Sequence, residues 1–189
     1  MGASNQIRII GGQHRGRKLR FANLPGLRPT GDRMRETLFN WLQPVIVGAR
    51  CLDLFAGSGA LGFEAASRGA GRVVLLDRAQ KAVVQLRENV RLLGLDDVEV
   101  VQADGMKWLQ GAPQAFDVLF LDPPFADNLL SQACRLLTEN GWLAPDALIY
   151  LETDAVAGLP DLPQPLVWEK HKRMGQVAFG LARCTANTF

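Results

Sequence analysis

Cys51-Leu52-Asp53-Leu54-Phe55-Ala56-Gly57-Ser58-Gly59-Ala60-Leu61-Gly62 is the stretch on which the reading of this 189-residue chain turns. The apolar run Cys51 to Phe55 predicts a short buried strand, interrupted by one acid at its third position. Glycines in Gly-x-Gly-x-x-Gly spacing follow, and Phe63 to Arg68 has helical character. A strand running through a glycine turn into a helix opens a nucleotide-binding βαβ unit. Gly57 and Gly59 let the backbone turn tightly and approach a ligand, and Gly62 lets the helix close on the strand. Dinucleotide dehydrogenases, adenosine-cofactor enzymes and some structural loops all satisfy this fingerprint.

Working outward, strands and helices alternate. A strand over 72–76 ends at Asp77 and precedes a helix over 80–93 that Gly94 closes. A strand over 98–102 ends at Asp104, with a short helix near 106–110. A strand over 116–121 ends at Asp122, a helix over 128–140 closes at Gly141, and a strand over 147–152 follows. This alternation predicts an α/β fold, a mostly parallel doubly wound sheet with helices on both faces. Residues 166–170 and 176–181 read instead as an antiparallel hairpin. Near the N-terminus, Arg8–Gly12 and Lys18–Phe21 flank a basic tip, a small hairpin that sets residues 1–25 apart as an extension of the main domain at 26–189. Between them, Met34, Leu38, Trp41 and Leu42 recur at helical spacing, with Thr30 or Asp32 as the N-cap and Arg28, Arg33 and Arg35 turned toward a ligand.

Composition narrows the class. At 48% hydrophobic and 21% charged residues the chain is an ordinary globular one. Residues 1–35 hold eight Lys/Arg against one acid, so a basic arm sits on a body that is mildly acidic. Such asymmetry suggests a polyanionic partner, the plain alternative being a solvated basic tail. Cys51, Cys134 and Cys184 are too scattered for a metal site or disulfide framework, and read as small buried side chains in a reducing compartment. With no signal-peptide core and no apolar run near the roughly 20 residues a membrane span needs, the expected location is the cytoplasm.

Four acids mark the site. Asp53 lies inside the first βαβ strand, while Asp77, Asp104 and Asp122 stand at the carboxyl ends of later strands. Open α/β sheets bind ligands along that edge. Asp77 follows Gly57 by 20 residues, the spacing at which an acid accepts from both ribose hydroxyls of NAD or S-adenosylmethionine. Each acid, taken singly, reads equally well as a helix cap. Asp53 separates the candidates, because dehydrogenases keep that strand apolar and a methionine amino group would sit there.

Asp122-Pro123-Pro124-Phe125 separates them further. Two consecutive prolines fix φ and hold the chain extended, so the Pro123 carbonyl and the Asp122 carboxylate converge on one spot. Two acceptors suit an exocyclic amine with two N–H donors, and Phe125 offers a flat face for a base. With an ordinary aspartate pKa near 3.9, Asp122 is expected to accept hydrogen bonds rather than serve as a strong general base.

Asp122-Pro123-Pro124-Phe125 resembles motif IV of amino-methyltransferases, and Asp53 to Gly59 resembles their motif I. With Arg28 to Leu42, Arg8 to Leu19 and Lys172 to Gln176, the chain from residue 7 onward is similar to the bacterial 16S rRNA guanine-N2 methyltransferase family. Only residues 153–168 carry no recognised motif. The resemblance implies a class I methyltransferase fold of seven strands with an antiparallel C-terminal hairpin. It implies S-adenosylmethionine as methyl donor, S-adenosylhomocysteine as product, no metal, and 16S rRNA as partner, free or within an assembling small subunit. A monomer with no membrane association is expected. Catalytic roles fall on Asp122, Pro123, Pro124 and Phe125. Cofactor contacts fall on Thr30, Asp53, Phe55, Ala56, Gly57, Ser58, Gly59, Asp77, Arg78, Asp104, Gly105, Met106 and Asp122. RNA contacts fall on Arg8, His14, Arg15, Arg17, Lys18, Arg20, Arg33, Lys172 and Arg173. The alternatives are methylation of adenine N6 or of a protein amide, and a non-catalytic RNA-binding module in ribosome assembly.

Overall fold

Period-two alternation in the central strands explains the layering of the molecule. The computed structural model describes residues 5–124 and 129–185. Cys51, Val73, Leu75, Val118, Phe120, Leu148 and Tyr150 fall in one buried cluster, while Leu52, Val74, Leu76, Leu119, Leu121, Ile149 and Leu151 fall in the other. Successive side chains of a strand point to opposite faces, so a sheet buried on both sides must read as nearly continuous apolar sequence.

The seven strands are β3 (Arg50–Asp53), β4 (Arg72–Asp77), β5 (Val98–Gln102), β6 (Phe116–Leu121), β7 (Leu143–Asp154), β8 (Leu166–Met174) and β9 (Val177–Cys184), in the spatial order β5-β4-β3-β6-β7-β9-β8. β3 to β7 run parallel, and β9 is antiparallel to both β7 and β8. This is the doubly wound sheet with a C-terminal hairpin that the motifs implied. Helices α1 (Asp32–Leu42), α2 (Ala60–Ser67) and α3 (Gln80–Leu93) cover one face, and α4 (Gly105–Trp108) with α5 (Leu130–Glu139) covers the other. The expected start of α5 at Asn128 and the aromatic Phe125 lie outside the described residues.

The basic hairpin is present as β1 (Gln6–Arg8) paired antiparallel with β2 (Lys18–Arg20). Its Ile7, Ile9 and Leu19 are buried in the same cluster as α1 and α2, so the extension packs into the main core. Glu64 of α2 is fully buried and accepts hydrogen bonds from the amides of Ile10 and Gly11 at 2.9 and 2.8 Å. The same carboxylate pairs with Arg35 of α1 at 3.3 Å and Arg68 at 2.8 Å. One side chain therefore joins the extension, α1 and α2.

Two expectations near α1 need correction. The N-cap is Gly31, with no side-chain cap; the Thr30 hydroxyl is turned inward, and Asp32 is the first helical residue, paired with Arg35 at 2.6 Å. Arg35 faces no ligand. Its guanidinium is 1% exposed and bonded to Glu64, Asp32 and the carbonyls of Arg8 and Thr30. Met34, Leu38 and Leu42 are buried as their spacing required, while Trp41 is half-buried and stacks on Phe179 at 5.7 Å. All three cysteines are free, and burial pushes the Cys51 and Cys134 thiols up to about 12, where they are unreactive.

Candidate active site

The glycine turn is shaped by what each missing side chain would meet. Gly59 is left-handed at φ 77° and forms the N-cap of α2. A Cβ on Gly62 would press into Leu75 of β4, so only glycine lets α2 close on the sheet. Asp53, 2% exposed at the end of β3, accepts from the Gly62 amide at 3.0 Å and ties strand to helix. Burial lifts its carboxyl to about 7 against the pull of the Gly62 and Phe55 amides, with Asp77 adding repulsion. Asp53 thus lies beneath the turn rather than open to the crevice.

This gives a signed expectation. A carboxyl whose folded pKa is raised contributes stability that is complete below its unfolded pKa, 3.8, and lost as pH climbs toward about 7. Urea denaturation between pH 5 and 8 should show Asp53→Asn removing up to about 1.4 kcal/mol per pH unit of that decline. An unchanged slope would place the proton elsewhere.

Asp77, half-buried at the end of β4, accepts from the amides of Gly57 and Ala79, both at 2.8 Å, one on each oxygen. Those bonds orient the carboxylate and leave a lone pair on each oxygen for ribose hydroxyls. Asp104 is the N-cap of α4, accepting from the Lys107 amide at 3.0 Å. Gly105 and Met106 follow it as the first two residues of α4. Phe55 and Met106 are half-buried, Ala56, Ser58 and Gly105 are buried, and Arg78 is exposed.

The other half of the site forms where β6 and β7 end. Asp122 follows Leu121, which is in register with Leu151 of β7, so Asp122 and Glu152 are neighbours. Asp122 is half-buried, Pro123 buried and Pro124 exposed. Among the described residues the aspartate caps no helix. Glu152 accepts from the Tyr150 hydroxyl at 2.9 Å and the Thr30 hydroxyl at 3.1 Å, and Thr30 Oγ1 lies 3.4 Å from Asp122 Oδ2. Among the described residues no buried side-chain nitrogen or oxygen lacks a partner, so this cluster is satisfied internally. Burial first, then the charges of Glu152 and Asp53, holds the Asp122 carboxyl well above the usual aspartate range, only partly countered by Thr30. The expectation of an ordinary aspartate pKa is corrected: desolvation raises this carboxyl.

Tyr150 and Glu152 escaped the sequence reading, although the rule that found Asp77, Asp104 and Asp122 applies to Glu152. It is the acid that closes the apolar strand Ala147 to Leu151. Thr30 belongs with these two through its hydroxyl.

Among the cationic candidates, Arg8, Arg15, Arg17, Lys18, Arg20, Arg33, Lys172 and Arg173 are exposed and His14 is half-buried. They lie on separate elements, the N-terminal hairpin, α1 and β8. The hairpin tip is tied by the Gln13 and His14 amides to Ser67, the last residue of α2. That end stands about 12 Å from the glycine turn along the helix axis. Lys170 and Lys172 of β8 instead reach over the Trp41 ring, at 5.9 and 5.8 Å. A shallow cleft of about 400 Å³ lies at the amino ends of β3 and β6, but two of its three charged residues, Asp117 and Arg183, are already paired, with Arg50 and Glu169. No cluster of three metal-ligating side chains exists among the described residues.

The chain is similar to known proteins along most of its length. The family described as "Conserved hypothetical protein 95" matches residues 7–183. "Ribosomal RNA small subunit methyltransferase D" of Escherichia coli K12 is 50% identical over 178 residues, covering 94% of this chain and 90% of its own length. The protein of that name from Haemophilus influenzae is 48% identical over 184 residues, covering 95% and 94%. A solved Escherichia coli structure superimposes with a TM-score of 0.90 at 46% identity, spanning 96% of this chain and 99% of that one. A more distant structure solved with SAH, at 16% identity and a TM-score of 0.73, shares the fold.

Proposed function

The chain belongs to the conserved hypothetical protein 95 family and is kin to proteins named ribosomal RNA small subunit methyltransferase D, and from that premise we propose that it transfers a methyl group from S-adenosylmethionine to the exocyclic N2 of a guanine in 16S rRNA. The observation that carries the reading is Asp122: a desolvated carboxyl at the end of β6, backed by two prolines, on the strand edge that holds the glycine turn.

The residues present fit the cofactor. Asp77 is oriented by two backbone amides with lone pairs to spare for a ribose, and Gly57 and Gly59 let the main chain approach it. When bound, S-adenosylmethionine supplies an electrophilic methyl on a sulfonium that departs as a neutral thioether. The remaining chemistry falls to this chain. The guanine N2 lone pair is delocalised into the ring, so the amine is a poor nucleophile. Hydrogen bonds from its N–H groups to Asp122 and the Pro123 carbonyl favour a more tetrahedral nitrogen with its lone pair aimed at the methyl carbon. Alignment of this kind can contribute about 7–11 kcal/mol. The Asp122 carboxylate also stabilises the positive charge that develops on nitrogen.

Guanine suits an aspartate because its pairing edge offers adjacent N1–H and N2–H donors, whereas adenine places one donor beside an acceptor. A guanine in a helix must first be unstacked, at a cost of a few kcal/mol. The basic hairpin and β8 residues would hold flanking phosphates, which confers affinity and salt sensitivity but little sequence information. The choice of nucleotide then comes from RNA shape. Such an enzyme works where rRNA is made, in the cytoplasm, and as a monomer.

The test is nucleoside analysis of 16S rRNA after incubation with the protein and methyl-labelled S-adenosylmethionine. Label in N2-methylguanosine is expected. Label in N6-methyladenosine or in protein would replace the substrate, and RNA binding without label would leave only an assembly module.

A further inference from the structure

We infer that Glu152 is a positioning residue for the reaction: through Thr30 it sets the orientation and ionisation of Asp122, so that Asp122 takes the proton released from the methylated nitrogen. The inference rests on the proposed amine chemistry and deepens it. Its basis is geometric. Tyr150 and Glu152 are two apart on β7 and therefore share a face, and Asp122 reaches that face from β6. Two carboxyls meet there with a single hydroxyl between them. Thr30 has one proton to donate and two carboxyl neighbours, Glu152 at 3.1 Å and Asp122 Oδ2 at 3.4 Å: the hydroxyl turns to Asp122 while that group is ionised and to Glu152 once Asp122 carries a proton. A protonated Asp122 would donate to that same oxygen. The hydroxyl thus suits both states of the aspartate, and Tyr150 secures the glutamate from behind at 2.9 Å.

No cation among the described residues neutralises the pair. Asp53 on β3 adds negative charge, Arg35 of α1 is committed to the Thr30 carbonyl and Glu64, and Lys172 of β8 sits across Phe179 over Trp41. A buried and a half-buried carboxyl without a counter-ion favour a shared proton at a pH where an isolated aspartate would have lost it. Both carboxyls are raised by burial, Glu152 being partly relieved by Tyr150 and Thr30.

The step balances. An N–C bond forms as the C–S bond breaks with its electron pair left on sulfur, giving a neutral thioether and a cationic secondary amine. One N–H bond then returns its pair to nitrogen as the proton passes to the Asp122 carboxylate. Asp122 is half-buried, so it can return that proton to water after the product leaves.

The experiment is the pH profile of single-turnover methyl transfer to 16S rRNA for the wild type, Glu152→Gln, Tyr150→Phe and Asp122→Asn, with S-adenosylhomocysteine affinity and thermal midpoints alongside. Glu152→Gln removes the neighbouring charge, so the acid limb should move to lower pH by about one unit or more while cofactor affinity stays within twofold. Tyr150→Phe should move it the same way by less, because Glu152 then keeps its proton to higher pH. If Glu152→Gln does not fold, Tyr150→Phe decides. A wild-type acid limb in the folded variant overturns the inference. Asp122→Asn at wild-type rate would instead sink the amine reading itself, independently of Glu152.

Discussion

Asp122→Ala is expected to lower the rate of methyl transfer by about 10²–10³-fold or more, the size seen when one preorganised group opposite developing charge is removed. S-adenosylhomocysteine affinity should stay within a few-fold, because Asp77 and the glycine turn are untouched. RNA affinity should also hold, since in the proposed function the exposed cations carry the phosphate contacts. The change removes a carboxyl that already resides, partly desolvated, at a strand end. Its loss relieves repulsion on Glu152, so the fold is not expected to weaken. Labelled-cofactor assays beside equilibrium binding separate these outcomes. A large loss of binding together with rate would make Asp122 a structural residue or chiefly a cofactor contact.

Glu64→Ala is expected to be the most damaging single substitution for stability, costing about 3–5 kcal/mol in urea denaturation, because it leaves buried charge without its partner. Arg35 is 1% exposed and would lose one of its two carboxylates, and the amides of Ile10 and Gly11 would lose their acceptor. By contrast the exposed pair Arg72–Glu99 at 2.7 Å, with about half of each side chain in water, should yield about 0–1 kcal/mol on removal. Equal effects from the two sites would mean that the extension is not held through Glu64.

Much of this was legible because local rules and the global fold agree. The runs at β3, β4, β6 and β7 are apolar on both faces because helices cover both, and the end of α3 is marked by Gly94 in the left-handed conformation. The acids at strand ends follow from topology, so Asp77 and Asp122 emerged without coordinates. The contacts of Thr30 did not. Its partners lie 92 and 122 residues away, and a threonine just before a helix is locally indistinguishable from an N-cap. Arg35 misled for the same reason: an arginine on a basic stretch reads as ligand-facing until Glu64, 29 residues on, is seen to neutralise it. Asp104 shows the converse, since its capping role is local and could be read from the short helix that follows.

The central claim is that Asp122 and the Pro123 carbonyl present a nucleobase amine to the methyl carbon, and a crystal structure with S-adenosylhomocysteine and a guanosine-containing RNA fragment tests it most directly. The account predicts the guanine N2 within about 3 Å of both oxygens, the distance of an N–H···O hydrogen bond, with the cofactor sulfur facing it from the glycine turn. A base seated elsewhere, or an Asp122 still turned only toward Thr30 and Glu152 with the amine out of reach, would contradict it.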